Sequence, residues 1–252
     1  MLQKKVRIIL KENERIDDLQ INNLKIIQNT DGFCFGIDSV ILSNFAKDIK
    51  KNSVVMDLGT GTGIIGFLLL AKNKIKRMIG IEVQSEVADM VSRSVILNNL
   101  EDEFQIINCN IKDILMHVKR DSVDVVVTNP PYKKINTGGK NENQKKLISR
   151  HEILADIFDF IKAAKVVLKD KGILYMVHRP ERLSDIICGL KENKIEPKEI
   201  RFVYSRENSN EAKLVLIKAV KNGGEFLKIE KPLYIYNNDG EYSREILDMY
   251  NN

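Results

Sequence analysis

Short apolar runs alternate along the chain with longer segments whose apolar residues repeat at helical spacing. Val54-Val55-Met56-Asp57-Leu58, Met78-Ile79-Gly80-Ile81, Phe104-Gln105-Ile106-Ile107-Asn108 and Val123-Asp124-Val125-Val126-Val127-Thr128 read as four strands, and Gly172-Ile173-Leu174-Tyr175-Met176-Val177 as a fifth. Runs so continuously apolar suit strands covered on both faces, as in a parallel sheet. Between them lie helical stretches: 38–49, Phe67 to Ala71, 84–99 and 153–168. The last places Ile153, Leu154, Ile157, Phe158, Ile161 and Ala164 on one face, and Pro180 can open a further helix. Ile200 to Tyr204 and Leu214 to Ile217 complete a set of seven strands, and the short link 205–212 makes this last pair antiparallel. The alternation predicts an α/β fold, a doubly wound, mostly parallel seven-stranded sheet with short N- and C-terminal additions. Residues 1–36 form a strand-like extension, 37–221 the α/β domain, and 222–252 a C-terminal extension.

Composition narrows the class without naming a chemistry. The 252 residues are 43% hydrophobic and 30% charged, as in a soluble globular protein able to bury a substantial core. No apolar stretch long enough to span a bilayer and no signal peptide is visible, so a cytoplasmic protein is expected. Cys34, Cys109 and Cys188 are isolated in apolar settings and read as buried thiols. His117, His151 and His178 have no ligand spacing, and no metal is implied.

The most specific chemistry follows the fourth strand. In Asn129-Pro130-Pro131-Tyr132 the prolines cannot extend a strand, since they have no N–H to donate. They stiffen a turn that aims the Asn129 side chain and the Pro130 carbonyl, both acceptors. A planar amino group presents two donors to such a pair, and Tyr132 adds a face for stacking. Upstream, the first strand enters Gly59-Thr60-Gly61-Thr62-Gly63-Ile64-Ile65-Gly66, where glycines let a ligand lie against bare backbone at a helix N-terminus. Glu82, at the tip of the second strand, suits ribose hydroxyls. Gly61, Gly63 and Gly66 also spell a dinucleotide fingerprint, so a nicotinamide enzyme is a rival. Asp57 opposes it, because a carboxylate sits badly beside a pyrophosphate and well beside the cationic amino-acid end of S-adenosylmethionine. The glycine loop, Glu82, Asn110 and Asn129 all fall just past strand ends, where doubly wound sheets bind ligands.

Asp57-Leu58-Gly59-Thr60-Gly61-Thr62-Gly63, Glu82 and Asn129-Pro130-Pro131-Tyr132 together resemble the class I S-adenosylmethionine-dependent methyltransferases that modify exocyclic amines. The resemblance implies a Rossmann-like fold and S-adenosylmethionine as cofactor. It implies cofactor contacts from Asp57, Gly59, Thr60, Gly61, Gly63, Glu82, Val83, Asn110, Ile111 and Asn129, with catalysis at Asn129, Pro130, Pro131 and Tyr132. Such enzymes usually carry an acidic residue where Asn110 stands; Asn110 can still accept from the cofactor's adenine, with Asp113 as the alternative and a plain turn residue as the structural one. The stretches 15–28, 31–46, 150–152 and 212–237 resemble one bacterial group in particular, the tRNA(Val) adenine N6-methyltransferases. From it Gly36 and Asp38 carry over as cofactor contacts, although Asp38 or Ser39 serves equally as the N-cap of the first helix, and Ile37 replaces a usual threonine. His151-Glu152 is a general-base pair, an RNA contact or a helix N-terminal turn.

Charge fits an RNA partner. The chain carries a net +5, and the segment 133–150 alone sets Lys133, Lys134, Lys140, Lys145, Lys146 and Arg150 against Glu142. Such a loop can grip phosphate beside the site or stay merely solvated; Tyr132, Lys133, Lys134 and Arg150 are the candidate substrate contacts. Lys4, Lys5, Arg7 and Lys11 are a weaker second patch. The function implied is methyl transfer to the N6 of an adenine in tRNA, beside the anticodon of tRNA(Val). Adenine in DNA or rRNA, or a protein glutamine, poses the same chemistry. A catalytically silent RNA-binding fold would not need the cofactor glycines. With Tyr132 acting as a stacking face, Tyr132→Phe is expected to be mild.

Overall fold

The computed structural model describes residues 9–30, 36–47, 49–72, 75–132 and 155–251. A two-stranded hairpin, β1 (Glu14–Asp18) and β2 (Lys25–Asn29), precedes helix α1 (Ile37–Phe45). Then follow β3 (Val54–Leu58), α2 (Ile64–Lys72), β4 (Arg77–Glu82), α3 (Ser85–Leu97), β5 (Phe104–Asn108), a 3-10 turn (Ile111–Met116) and β6 (Val123–Thr128). The chain resumes with α4 (Ile157–Val167), β7 (Leu168–His178), α5 (Leu183–Glu192), β8 (Ile195–Tyr204) and β9 (Ala212–Lys221). Two-residue strands β10 (Lys228–Ile229) and β11 (Leu233–Tyr234) and helix α6 (Arg244–Asn251) complete it.

The long strands pair in the order β8-β9-β7-β6-β3-β4-β5, all parallel except β9. The predicted seven strands and antiparallel last pair are therefore present. β10 and β11 add to the outer side of β8, making nine strands in the sheet. Alternation along each strand builds two cores. Val55, Val125, Val127, Tyr175 and Val177 face α1, α2 and α3, whereas Met56, Val126, Leu174 and Met176 face α4 and α5. Burying each such side chain contributes roughly 1.5–3 kcal/mol.

Several expected boundaries shift. Helix 38–49 is Ile37–Phe45, 84–99 is Ser85–Leu97, and 153–168 starts at Ile157. A reciprocal Asp156–Asp159 capping box sets that start, each side chain accepting the other's backbone N–H at 3.0 Å. Pro180 opens a single 3-10 turn, Pro180–Arg182, ahead of α5. The fifth strand begins at Leu168, irregular in register where Lys171 adopts φ +58°. Cys188 is exposed and Cys109 half-buried, so the expectation of buried thiols is corrected for both. On α5 the buried stripe is Ile186, Gly189 and Leu190, and position 188 points away from it. Cys34 lies outside the described residues.

The terminal segments dock on the α1–α3 layer. Ser94 Oγ accepts the Ile27 N–H at 2.9 Å, and Arg93 pairs with Glu14 at 2.5 Å, tying the hairpin to α3. Lys72 Nζ reaches the Met249 carbonyl at 2.8 Å, fastening α6 near α1 and α2. No helix among the described residues is long and apolar enough to cross a membrane.

Candidate active site

Register brings four strand ends level. Leu58 of β3 pairs with Ile81 of β4 and Thr128 of β6, and Thr128 pairs with Met176 of β7. Neighbouring ends are thus about 4.8 Å apart. β3 and β6 are also where the strand order reverses, leaving a crevice past their carboxyl ends. The glycine loop and the Asn-Pro-Pro-Tyr turn flank that crevice.

In the loop, Gly59, Gly61 and Gly63 have φ of +72°, +54° and +79°, a region L side chains rarely occupy. Gly59 and Thr60 both donate to the Ile81 carbonyl at 2.9 Å, which pulls the loop across the end of β4. The glycines do different work. A Cβ on Gly63 would lie 2.6 Å from Val91, and one on Gly66 2.4 Å from Phe104, so both allow α2 to pack closely. A Cβ on Gly61 would meet nothing within 4 Å, so Gly61 exposes backbone to open space. Gly61→Ala should cost about 1–2 kcal/mol of backbone strain and lower Tm by only a few degrees. It should weaken S-adenosylhomocysteine binding by about tenfold or more, because the methyl fills the cradle. Calorimetry and a thermal melt check both halves, and unchanged affinity would place the cofactor elsewhere.

Two carboxylates lie beneath this loop. Asp57 is fully buried; Oδ2 accepts the Thr60 hydroxyl at 2.8 Å, and Oδ1 has no partner. Burial raises its pKa to about 7, opposed by the Thr60 hydrogen bond and reinforced by the charge on Glu82. A buried carboxylate oxygen with no donor calls for a cation or a polyhydroxyl donor, which fits the amino-acid end of S-adenosylmethionine. Glu82 Oε2 accepts the Gly61 N–H at 3.0 Å and Oε1 the Gln84 N–H at 2.9 Å. It therefore shapes the loop, and each oxygen keeps a second lone pair for a hydroxyl. Thr60 is buried, and Val83 follows Glu82 along the same edge.

Asn110 caps the 3-10 turn, its Oδ1 accepting the Lys112 N–H at 3.0 Å. Its structural role is thus visible, with one acceptor position of Oδ1 left for a ligand. Ile111 behind it is buried, and Asp113 is exposed on the same turn.

The Asn-Pro-Pro-Tyr turn is anchored by a residue sequence reading passed over. Thr128, fully buried, donates its hydroxyl to the Leu58 carbonyl at 2.8 Å and locks the turn to the root of the glycine loop. Asn129 and Tyr132 follow half-buried, Pro130 buried between them. Tyr132 is not a free platform. Its hydroxyl donates to Asp38 Oδ2 at 2.6 Å. The ring meets the His178 imidazole edge-on at 5.2 Å and 68°, with the Arg179 guanidinium 5.1 Å from its centroid. Burial and the Asp38 charge push the phenol well above its usual range. Asp38 is consequently a partner of the turn. The N-cap of α1 is Gly36, without a side-chain cap, in place of the Asp38 or Ser39 cap anticipated.

His178 and Arg179 were also missed; their position just past the end of the fifth strand was the available signal. Lys133, Lys134, Arg150, His151 and Glu152 lie outside the described residues. Among the described residues no cluster of His, Cys, Asp or Glu could hold a metal ion.

A doubly wound sheet with a glycine loop and a buried acid at one strand end, and the Asn-Pro-Pro-Tyr turn at the next, defines a class I methyltransferase. The chain belongs to the methyltransferase small domain family, whose model matches residues 37–187. Among curated proteins it is 22% identical over 183 residues to the tRNA1(Val) (adenine(37)-N6)-methyltransferase of Phocaeicola vulgatus, covering 72% of this chain and 74% of that one. It is 20% identical over 218 residues to the enzyme of the same name from Aliivibrio salmonicida, covering 86% and 89%. Among solved structures, a predicted O-methyltransferase from Agrobacterium tumefaciens superposes with a TM-score of 0.68 at 19% identity, covering 85% of this chain and 95% of that one.

Proposed function

We propose that the protein transfers a methyl group from S-adenosylmethionine to the exocyclic N6 of an adenine in tRNA, the adenine beside the anticodon of tRNA(Val) being the favoured target. The observation that carries this reading is the Asn129-Pro130-Pro131-Tyr132 turn, pinned by Thr128 to the strand that leads into the glycine loop. Asp57, Gly59, Thr60, Gly61, Gly63, Glu82 and Val83 hold the cofactor, with Asn110 and Ile111 at its adenine and Gly36 and Asp38 near the turn. The cofactor supplies an electrophilic methyl on a sulfonium, so no strongly shifted general base is needed.

The protein's task is to make a poor nucleophile presentable. The lone pair of adenine N6 is delocalised into the ring. The Asn129 carboxamide oxygen and the Pro130 carbonyl accept its two hydrogens, which localises the lone pair and fixes its direction. The base, once it has left its own stack, displaces the Arg179 guanidinium from the Tyr132 ring and stacks there. Lys133, Lys134 and Arg150 supply phosphate contacts around it.

The Asp38 hydrogen bond alters the expectation for Tyr132. Tyr132→Phe removes a charge-assisted bond worth about 1.5–3 kcal/mol when undisturbed. Because Asp38 is half-exposed and can rehydrate, the variant should lose roughly three- to tenfold in kcat. Tyr132→Ala should lose far more, and equal rates in the two variants would remove stacking from the mechanism. The function itself is tested with labelled S-adenosylmethionine and an unmodified tRNA(Val) transcript, followed by nucleoside analysis. N6-methyladenosine that disappears when the adenine beside the anticodon is changed supports reaction and site together. No transfer despite cofactor binding would sink the tRNA assignment and direct attention to DNA and protein amides.

A further inference from the structure

His178 is fully buried at the carboxyl end of β7 and has no part in the chemistry above. The β6–β7 register pairs Thr128 with Met176, so two residues further along His178 lies beside the turn. Two contacts fix the ring. Its Nδ1 accepts the Arg179 N–H at 2.8 Å and it packs edge-to-face with Tyr132, while the following Arg179 covers Tyr132 and donates from Nη1 to the Lys213 carbonyl at 3.1 Å. Since Nδ1 accepts, the proton of the neutral ring is on Nε2. Burial holds the imidazole neutral, its pKa lowered to about 4. That Nε2–H is buried and has no hydrogen-bond partner, and the backbone carbonyls that bear on the ring are those of Arg179, 3.5 Å from Nδ1, and of Pro131 in the turn.

Resting on the function proposed above, we infer that His178 is a positioning residue, whose Nε2–H closes on the Pro131 carbonyl and sets the aim of the catalytic turn. A buried donor left unpaired is costly, and a small movement of the turn toward β7 removes that cost. The peptide so pulled is the one adjoining the Pro130 carbonyl, an acceptor for the reacting amine. A single buried donor thereby favours the acceptor geometry over slack alternatives of the same turn. The edge contact with Tyr132 orients the stacking ring by the same movement.

The donor and the acceptor of this imidazole can be separated by substitution. His178→Gln places an amide N–H near the position of Nε2, whereas His178→Asn reaches only the position of Nδ1. Kinetics of methyl transfer to tRNA(Val) and calorimetric binding of S-adenosylhomocysteine are measured for both variants and the parent. The Gln variant should retain kcat within about threefold, and the Asn variant should lose about tenfold or more, with KM for S-adenosylmethionine and the homocysteine affinity within about twofold in each. Equal kcat in the two variants, whether high or low, overturns the inference, as does a loss of cofactor affinity that parallels kcat. A parent protein that binds S-adenosylhomocysteine but does not methylate tRNA sinks the functional reading instead. Nitrogen-15 spectra of the imidazole in the S-adenosylhomocysteine complex need no acceptor substrate. They should show the Nε2–H tautomer in a hydrogen bond, and an Nδ1–H tautomer would overturn the inference independently.

Discussion

Asn129→Ala should reduce methyl transfer by roughly 10²- to 10³-fold, the scale seen when a positioned polar group at a reacting atom is removed. Binding of S-adenosylhomocysteine should change by only a few-fold. The split follows from location. Asn129 stands half-buried past the end of β6, in the same turn as Tyr132. The buried polar groups of the cofactor crevice come from β3, its glycine loop and β4. Removing the carboxamide therefore leaves the crevice intact and deprives the amine of one acceptor. A loss expressed in kcat, with KM for S-adenosylmethionine unchanged, identifies an interaction made in the transition state. Near-normal turnover in this variant would end the assignment of the turn as the catalytic element.

Asp57→Asn should have the second large effect, with opposite signs for stability and binding. With its pKa raised to about 7, Asp57 keeps its proton in the folded protein over a range where the unfolded chain, with a carboxyl near 3.8, has lost it. The folded state binds more protons across that window, so stability falls as pH rises from about 3.8 to about 7 and is level above it. The shift corresponds to at most about 4 kcal/mol. Asparagine copies the protonated acid without that cost. The variant should melt above the parent at pH 8, by a margin that shrinks as the pH falls toward 4.

Cofactor binding runs the other way. A cationic ligand favours ionised Asp57, so parental affinity should climb with pH up to about 7 and then level. The Asn variant should bind about tenfold or more weakly at pH 8 and lack that climb. Calorimetry with S-adenosylhomocysteine at several pH values decides it, and a variant with parental affinity and parental pH dependence would detach Asp57 from the cofactor.

Much of the architecture was legible because its determinants are local. Val125-Val126-Val127 can lie only in a strand covered on both sides, and the sheet does place these residues in opposite cores. The glycine loop, Glu82 and the Asn-Pro-Pro-Tyr turn were legible for the same reason, since each is a short run whose backbone demands are written in its own residues. Element ends were less so. Capping by Asp156 and Asp159 decided where α4 begins, and a register irregularity near Lys171 allowed β7 to start early.

What the sequence by itself determined is the order of strands and helices and the identity of the chemical groups past their ends. What only the tertiary structure decided is which of those groups meet. Tyr132 reaches Asp38 across 94 positions, Thr128 reaches Leu58 across 70, and His178 comes to lie against Tyr132. None of these pairs has a periodicity or spacing that could announce it, because strand register and the crossover connections set each distance. The free stacking tyrosine and the capping aspartate were reasonable local readings of residues 132 and 38. Packing joined the two because both occupy the carboxyl edge of one sheet, where a buried phenol needs an acceptor and Asp38 is within reach.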